Sequence, residues 1–239
     1  KNRTVRGALD FDFPEYKVIL DEEGTPLRID KRIRGDGEKM IEDAMIAANE
    51  AVARYLESQG HMSVYRVHGN PDREKLNALK RTMMILGVSE RLPEEPEPKD
   101  VQRLMDSIKG KEMEPVIQVM ILRALPQAFY STENIGHFGI ASSCYTHFTS
   151  PIRRYPDLMV HRLIRQSVSG MLKKNRMKKQ EEFLFRAAAH CSETEQNATE
   201  TERDVTSLKM TEYMIPFVGE PFDGHVTGVT RFGIFVGLN

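Results

Sequence analysis

The residues best able to do chemistry lie in one stretch, Tyr145-Thr146-His147-Phe148-Thr149-Ser150-Pro151-Ile152-Arg153-Arg154-Tyr155-Pro156-Asp157. Ser150-Pro151 reads as a helix start, because serine is a favoured N-cap and proline suits the first helical position. Arg153 and Arg154 then fall in the first turn, where the helix dipole favours negative charge and each cation costs roughly 0.3–1 kcal/mol. Local rules are broken mostly where function requires it. The occupant that relieves such an end is an anion, and a phosphate could be shared between first-turn N–H groups and the guanidinium groups. The helix is predicted over 151–173. Asp157 and His161 stand one turn apart on it and can pair, and Pro156 is early enough to bend the helix without ending it.

Several elements must position this stretch. Residues 1–34 alternate short β-like runs with turn signals such as Glu22-Glu23-Gly24-Thr25-Pro26, which predicts a hairpin or small meander. Asp10 and Asp12 share a face if they lie in a strand, and read either as solvent-facing carboxylates or as a pair on a metal. A helix is predicted over 38–59 from the spacing of Ile41, Ala44, Met45, Ala48, Val52, Tyr55 and Leu56. Asn49 lies on its apolar face, so its amide needs partners, either in a neighbouring loop or in shaping a site. Val64–His68 reads as a short strand, 72–86 as a helix ended by Gly87, and 91–99 as an acidic, proline-rich link. Further helices are predicted over 99–107 and 113–130, and a long one over 180–213 whose middle is polar. After Pro216 two glycine-punctuated strands begin.

With 40% hydrophobic and 29% charged residues in 239, the composition is that of an ordinary soluble domain. No apolar run reaches the roughly 18 residues of a membrane span, and the first residues form no signal peptide, so a cytoplasmic location without membrane contact is expected. Cys144 and Cys191 offer neither a disulfide framework nor metal-ligand spacing. A net charge of −1 excludes a uniformly basic surface, so a nucleic-acid site must be a local patch. Arg153, Arg154, Arg162, Arg165 and the lysine-rich run 173–179 supply one, although a solvated loop also explains that run.

His137-Phe138-Gly139-Ile140, Tyr145 through Tyr155, Asp157 and His161 together resemble the signature of the RNB family of exoribonucleases, the ribonuclease II and R family. Supporting segments are Arg6–Asp12, Ile41–Asn49, Tyr65–His68 and Glu202–Val205. The resemblance implies an α+β fold: the helix-rich C-terminal part of an RNB catalytic domain over 1–216, with a small N-terminal β-meander. The first strands of an OB-fold RNA-binding barrel would follow over 217–239. It also implies processive 3′-to-5′ removal of nucleoside 5′-monophosphates from single-stranded RNA, with magnesium at the scissile phosphate. By the same resemblance Arg203 contacts phosphate near the cleavage point, and Arg153 and Arg154 hold the backbone. Tyr145, His147, Thr149 and Ser150 touch the terminal nucleotides, Tyr65 is a candidate stacking residue, and Asn49, Asp157 and His161 support the site. The family's cluster of metal-binding aspartates has no counterpart in this sequence, so no metal ligand is assigned. The expectation is a piece of a larger domain, inactive by itself, or alternatively a non-catalytic RNA-binding module. Whether His225, Phe232 and Phe235 bind RNA or begin a barrel core is left open.

Overall fold

The computed structural model describes residues 5–9, 15–171 and 177–238. Its chain divides into two compact units. One comprises the described residues of 1–12 with 34–197, the other those of 13–33 with 198–239.

The first unit is built on helices. Helix α1, Asp36–Ser58, starts where the Glu38 carboxylate accepts the Gly35 N–H at 2.9 Å and buries Ile46, Asn49, Ala53 and Leu56 along one stripe. Strand β1, Tyr65–Val67, follows. Helix α2, Arg73–Ile85, is capped by Asp72, whose side chain accepts the Lys75 N–H at 2.9 Å. Helix α3, Pro98–Ile108, has proline in its first turn, and helix α4, Glu114–Ala124, packs against it. Leu76, Leu79 and Met83 of α2, Val101, Leu104 and Ile108 of α3, and Ile117 and Ile121 of α4 form one core with Leu9, Leu92 and Phe138. Helix α4 stops earlier than the predicted 130, because Leu125 precedes Pro126 and is forced into extended backbone. That frees Phe129–Ser131 to form strand β2, antiparallel to β1.

A second core joins Leu56 of α1, Val64, Tyr130 of β2, Met159, Val160 and Leu163 of helix α5, and Leu184 and Ala188 of helix α6. Helix α5 spans Tyr155–Val168 and α6 spans Met177–Met214. Helix α5 does not start at Pro151 as the sequence predicts. Pro156 has no N–H to give the carbonyl of Ile152 and its ring crowds that carbonyl, so a helix begun at 151 cannot run through it. Pro156 instead sits in the first turn of α5, with Arg154 as the N-cap in extended backbone (φ −127°, ψ 119°). Asp157 therefore belongs to the first turn, where the dipole favours it, and the arginines precede the helix.

The second unit holds two antiparallel hairpins and the later part of α6. Strands β3, Glu15–Leu20, and β4, Pro26–Arg32, pair across a turn in which Asp21 Oδ1 accepts the N–H groups of Glu23 and Thr25. Lys209 of α6 donates to the Gly24 carbonyl of this turn at 2.7 Å. Among the described residues the N-terminal sheet is thus one hairpin, not a meander, and Val5 and Arg6 lie in a helical turn. Asp10 and Asp12 lie outside the described residues, as does most of the lysine-rich run. Strands β5, Gly224–Thr230, and β6, Gly233–Leu238, form the other hairpin. No described helix is long and apolar enough to cross a membrane.

Candidate functional site

The stretch after β2 is an irregular chain held from both sides. Its entry, Gly136–Ser142, lies on β1: His68 N–H donates to the Gly136 carbonyl at 3.0 Å and Phe138 N–H to the His68 carbonyl at 3.0 Å. The Gly139 N–H donates to His68 Nδ1 at 2.9 Å, so that nitrogen carries no proton and Nε2–H is left to donate to the Pro126 carbonyl at 2.7 Å.

From Tyr145 to Ser150 nearly every residue is tied down. The Tyr145 carbonyl accepts from Arg66 N–H at 2.9 Å, and Thr146 Oγ1 donates to the Val64 carbonyl. Asn49 uses both halves of its buried amide on this segment, Nδ2 donating to Tyr145 Oη at 2.9 Å and Oδ1 accepting the Phe148 N–H at 3.0 Å. The Phe148 carbonyl accepts from His161 Nε2 at 2.9 Å, and the His161 ring stacks on the Phe148 ring with centroids 4.0 Å apart. His161 therefore does not pair with Asp157 as the sequence spacing allowed. Asp157, with none of its surface exposed, accepts the Ser150 N–H at 2.8 Å and an Arg154 guanidinium N–H at 2.9 Å.

His68, His137, Tyr145, His147 and Tyr130 follow one another with ring centroids 5.0–5.7 Å apart, the first pair tilted at 33° and the rest edge to face. Tyr130 Oη lies 2.9 Å from His147 Nδ1. Burial pushes His137 down to about 3 and His147 down to about 2, the positive charges of Arg154 and Arg66 adding to the effect at His147. Burial raises the Tyr130 hydroxyl to about 12. These histidines stay neutral at pH 7 and are poorly matched to proton transfer there. The His147 Nδ1 shares a hydrogen bond with Tyr130, whereas His137 Nδ1 is buried without a partner among the described residues. Tyr130 also carries the Arg66 guanidinium 4.7 Å from its ring centre, and Arg66 pairs with Glu195 of α6.

The sequence-derived residues thus fall into four groups. Asn49, Tyr145, His147, Thr149, Ser150, Arg154, Asp157 and His161 converge on the signature segment. Arg153 is exposed on the turn that ends it, and Arg162 and Arg165 are exposed along α5. Tyr65 is buried among Ala53, Val67 and Cys144, with its hydroxyl raised to about 12 by that burial, so no ring face is free to stack on a base. Arg203 is exposed on α6 in the second unit, beside a groove lined by Glu202, Thr206, Ser207 and Met210. Sequence reasoning placed Arg66 and His68 in the supporting Tyr65–His68 segment without giving them a role, and missed Tyr130, which meets Arg66 because β1 and β2 pair. Among the described residues no group of three or more His, Cys, Asp or Glu side chains is arranged to hold a metal ion.

Residues 1–170 match the RNB domain family. Ribonuclease R 1 of Lactococcus lactis is 44% identical over 241 residues, covering 99% of this chain and 29% of that protein. The chain thus spans under a third of that relative's length. Ribonuclease R of Mycoplasma genitalium in complex with ribose-methylated single-stranded RNA superposes with a TM-score of 0.93 at 30% identity, over 100% of this chain and 38% of that one. The same enzyme in complex with double-stranded RNA superposes at 0.92, again at 30% identity, over 100% of this chain and 42% of that one.

Proposed function

The chain belongs to the RNB family, and from that membership we propose that it serves a 3′-to-5′ exoribonuclease by holding single-stranded RNA near its 3′ end. The observation that carries this reading is the turn at 150–154. It presents an exposed cation, Arg153, on a backbone tied to buried groups, with Arg162 and Arg165 exposed on the helix behind it. Rigid presentation lowers the ordering cost of binding, and the exposed arginines supply the salt-sensitive attraction to phosphates. His147, Thr149 and Ser150 are proposed to line the path of the terminal nucleotides, with Tyr145 acting from its buried position beneath it. Arg203 is proposed as a further phosphate contact on the strength of the family resemblance.

The longer protein, in this reading, works in the cytoplasm and releases nucleoside 5′-monophosphates with the help of magnesium, to which none of the described residues is assigned. Strands β5 and β6 are proposed as the beginning of an OB-fold barrel. A non-catalytic RNA-binding module is the alternative, and the neutral, buried histidines suit it equally.

Titration of a labelled single-stranded oligoribonucleotide into this chain, with and without magnesium, tests the proposal. The expected result is weak binding that fades as salt rises, without release of mononucleotides. Absence of binding at low salt overturns the proposal, and magnesium-dependent release of mononucleotides moves catalysis into this chain.

A further inference from the structure

We propose that Arg154 and Asp157 form a positioning pair that fixes the 150–154 turn, so that of the two adjacent arginines only Arg153 meets the RNA backbone. This rests on the reading that the turn binds phosphate, and it divides two residues that the sequence presents as equivalent. Ser150 opens the turn and Arg154 closes it, with the N–H groups of Arg153 and Arg154 donating to the Ser150 carbonyl at 3.3 and 3.1 Å. A single oxygen, Asp157 Oδ1, then takes both the Ser150 N–H and the Arg154 guanidinium. One buried carboxylate therefore ties the first residue of the turn to the last. It comes from the first turn of α5, a rigid element with Met159, Val160 and Leu163 in the core.

Arg154 is committed to this role by its surroundings. Its extended backbone turns the side chain inward, where 20% of it is exposed. Its Nε is buried, and its charge acts on His147 strongly enough to help keep that ring neutral. Swinging the Arg154 side chain out of the turn towards a phosphate would leave Asp157 as a lone buried anion, which is a costly state. Arg153 pays no such penalty, since it is exposed.

The salt dependence of RNA binding separates a phosphate ligand from a positioning residue. For single strands, log K falls with log salt with a slope of about −0.7 per phosphate neutralised. Binding of a single-stranded oligoribonucleotide to this chain is measured at several salt concentrations for wild type, Arg153→Gln, Arg154→Gln and Arg154→Gln/Asp157→Asn, with a thermal melt of each. Arg153→Gln is expected to weaken binding several-fold at low salt and to make the slope shallower by about 0.7, with an unchanged melt. Arg154→Gln is expected to keep the wild-type slope and to melt lower, and adding Asp157→Asn is expected to recover part of that loss by removing the stranded carboxylate. If Arg154→Gln does not fold, the slope is read from the double variant. A slope made shallower by Arg154→Gln, a melt of Arg154→Gln equal to wild type, or no recovery in the double variant overturns the pair. An unchanged slope in Arg153→Gln instead defeats the phosphate reading of the turn, and the melting cycle still decides the pair.

Discussion

The signature segment and the β5–β6 hairpin both set an arginine beside an aromatic residue in a short stretch of chain, Arg154-Tyr155 in one and Arg231-Phe232 in the other. They are held in opposite ways. Between Tyr145 and Ser150, groups from α1, β1, α5 and the residues flanking them tie down the backbone and side chains. The hairpin is held by its ladder and by bonds within its turn, and Val229, Phe232 and Ile234 are exposed. Two strands alone make a marginal sheet. The contrast shows where rigidity comes from: buried polar partners specify one conformation of an irregular segment, whereas a two-stranded ladder with exposed apolar side chains specifies register alone.

Removing the best-placed partner should break the contrast most strongly. Asn49→Ala deletes the acceptor of the Phe148 N–H and the donor to Tyr145 Oη inside a buried region. Leaving a buried donor unpaired costs about 1–3 kcal/mol, and the lost side-chain volume adds to it. Urea unfolding should show destabilisation of roughly 2–3 kcal/mol, and hydrogen exchange at the Phe148 amide should accelerate. A change below about 0.5 kcal/mol, the range of ordinary surface substitutions, would mean that the segment holds itself.

Much of this scaffold was legible in the sequence, because its signals are local. Asp72 and Gly87 bounded α2, the 3.6-residue stripe of α1 placed Asn49 inward, and the helix predicted over 99–107 is α3, which starts one residue earlier at Pro98. The site was legible in its residues but not in its geometry. Ser150-Pro151 carries a true capping signal, yet Pro156 vetoes a helix begun there, and the outcome depends on Asp157, whose value lies in accepting from both ends of the turn. Strand β2 is three residues long, too short to show a period, and its pairing with β1 spans more than sixty residues of chain. The links from Tyr130 to His147 and Arg66 arise from that pairing alone. The local cue was available in Leu125-Pro126, which ends α4 and releases a β-prone Phe129-Tyr130.

Acid should weaken the tied segment next. His137 and His147 have folded-state values near 3 and 2, below the ordinary 6.5, because burial disfavours their charged forms. The unfolded chain therefore binds more protons than the native state between those values and 6.5. Stability is fully present above about pH 6.5 and falls as pH drops towards 3. Each ring contributes a loss of about 1.4 kcal/mol by pH 5.5, and His68, also lowered by burial, adds in the same direction. Urea midpoints measured from pH 7.5 to 5 should decline, and His147→Gln should show a shallower decline than wild type. A flat profile would mean that water reaches these rings and would remove the main difference between the two regions.

The smallest effect is expected in the hairpin. Phe232 is 97% exposed at its turn, so Phe232→Ser removes almost no buried surface. The stability change should stay within about 0.5 kcal/mol, as for most surface substitutions, in contrast to the larger loss at Asn49. RNA titration of the same variant then separates two uses of an exposed ring. Weaker binding with an unchanged melt assigns Phe232 to stacking on a base, which is worth about 1–3 kcal/mol for an aromatic platform. Unchanged binding leaves it as a residue waiting for a covering surface. A stability loss above about 1 kcal/mol would contradict both, because an exposed ring has too few contacts to lose that much, and the hairpin would then have to count as tied down like the signature segment.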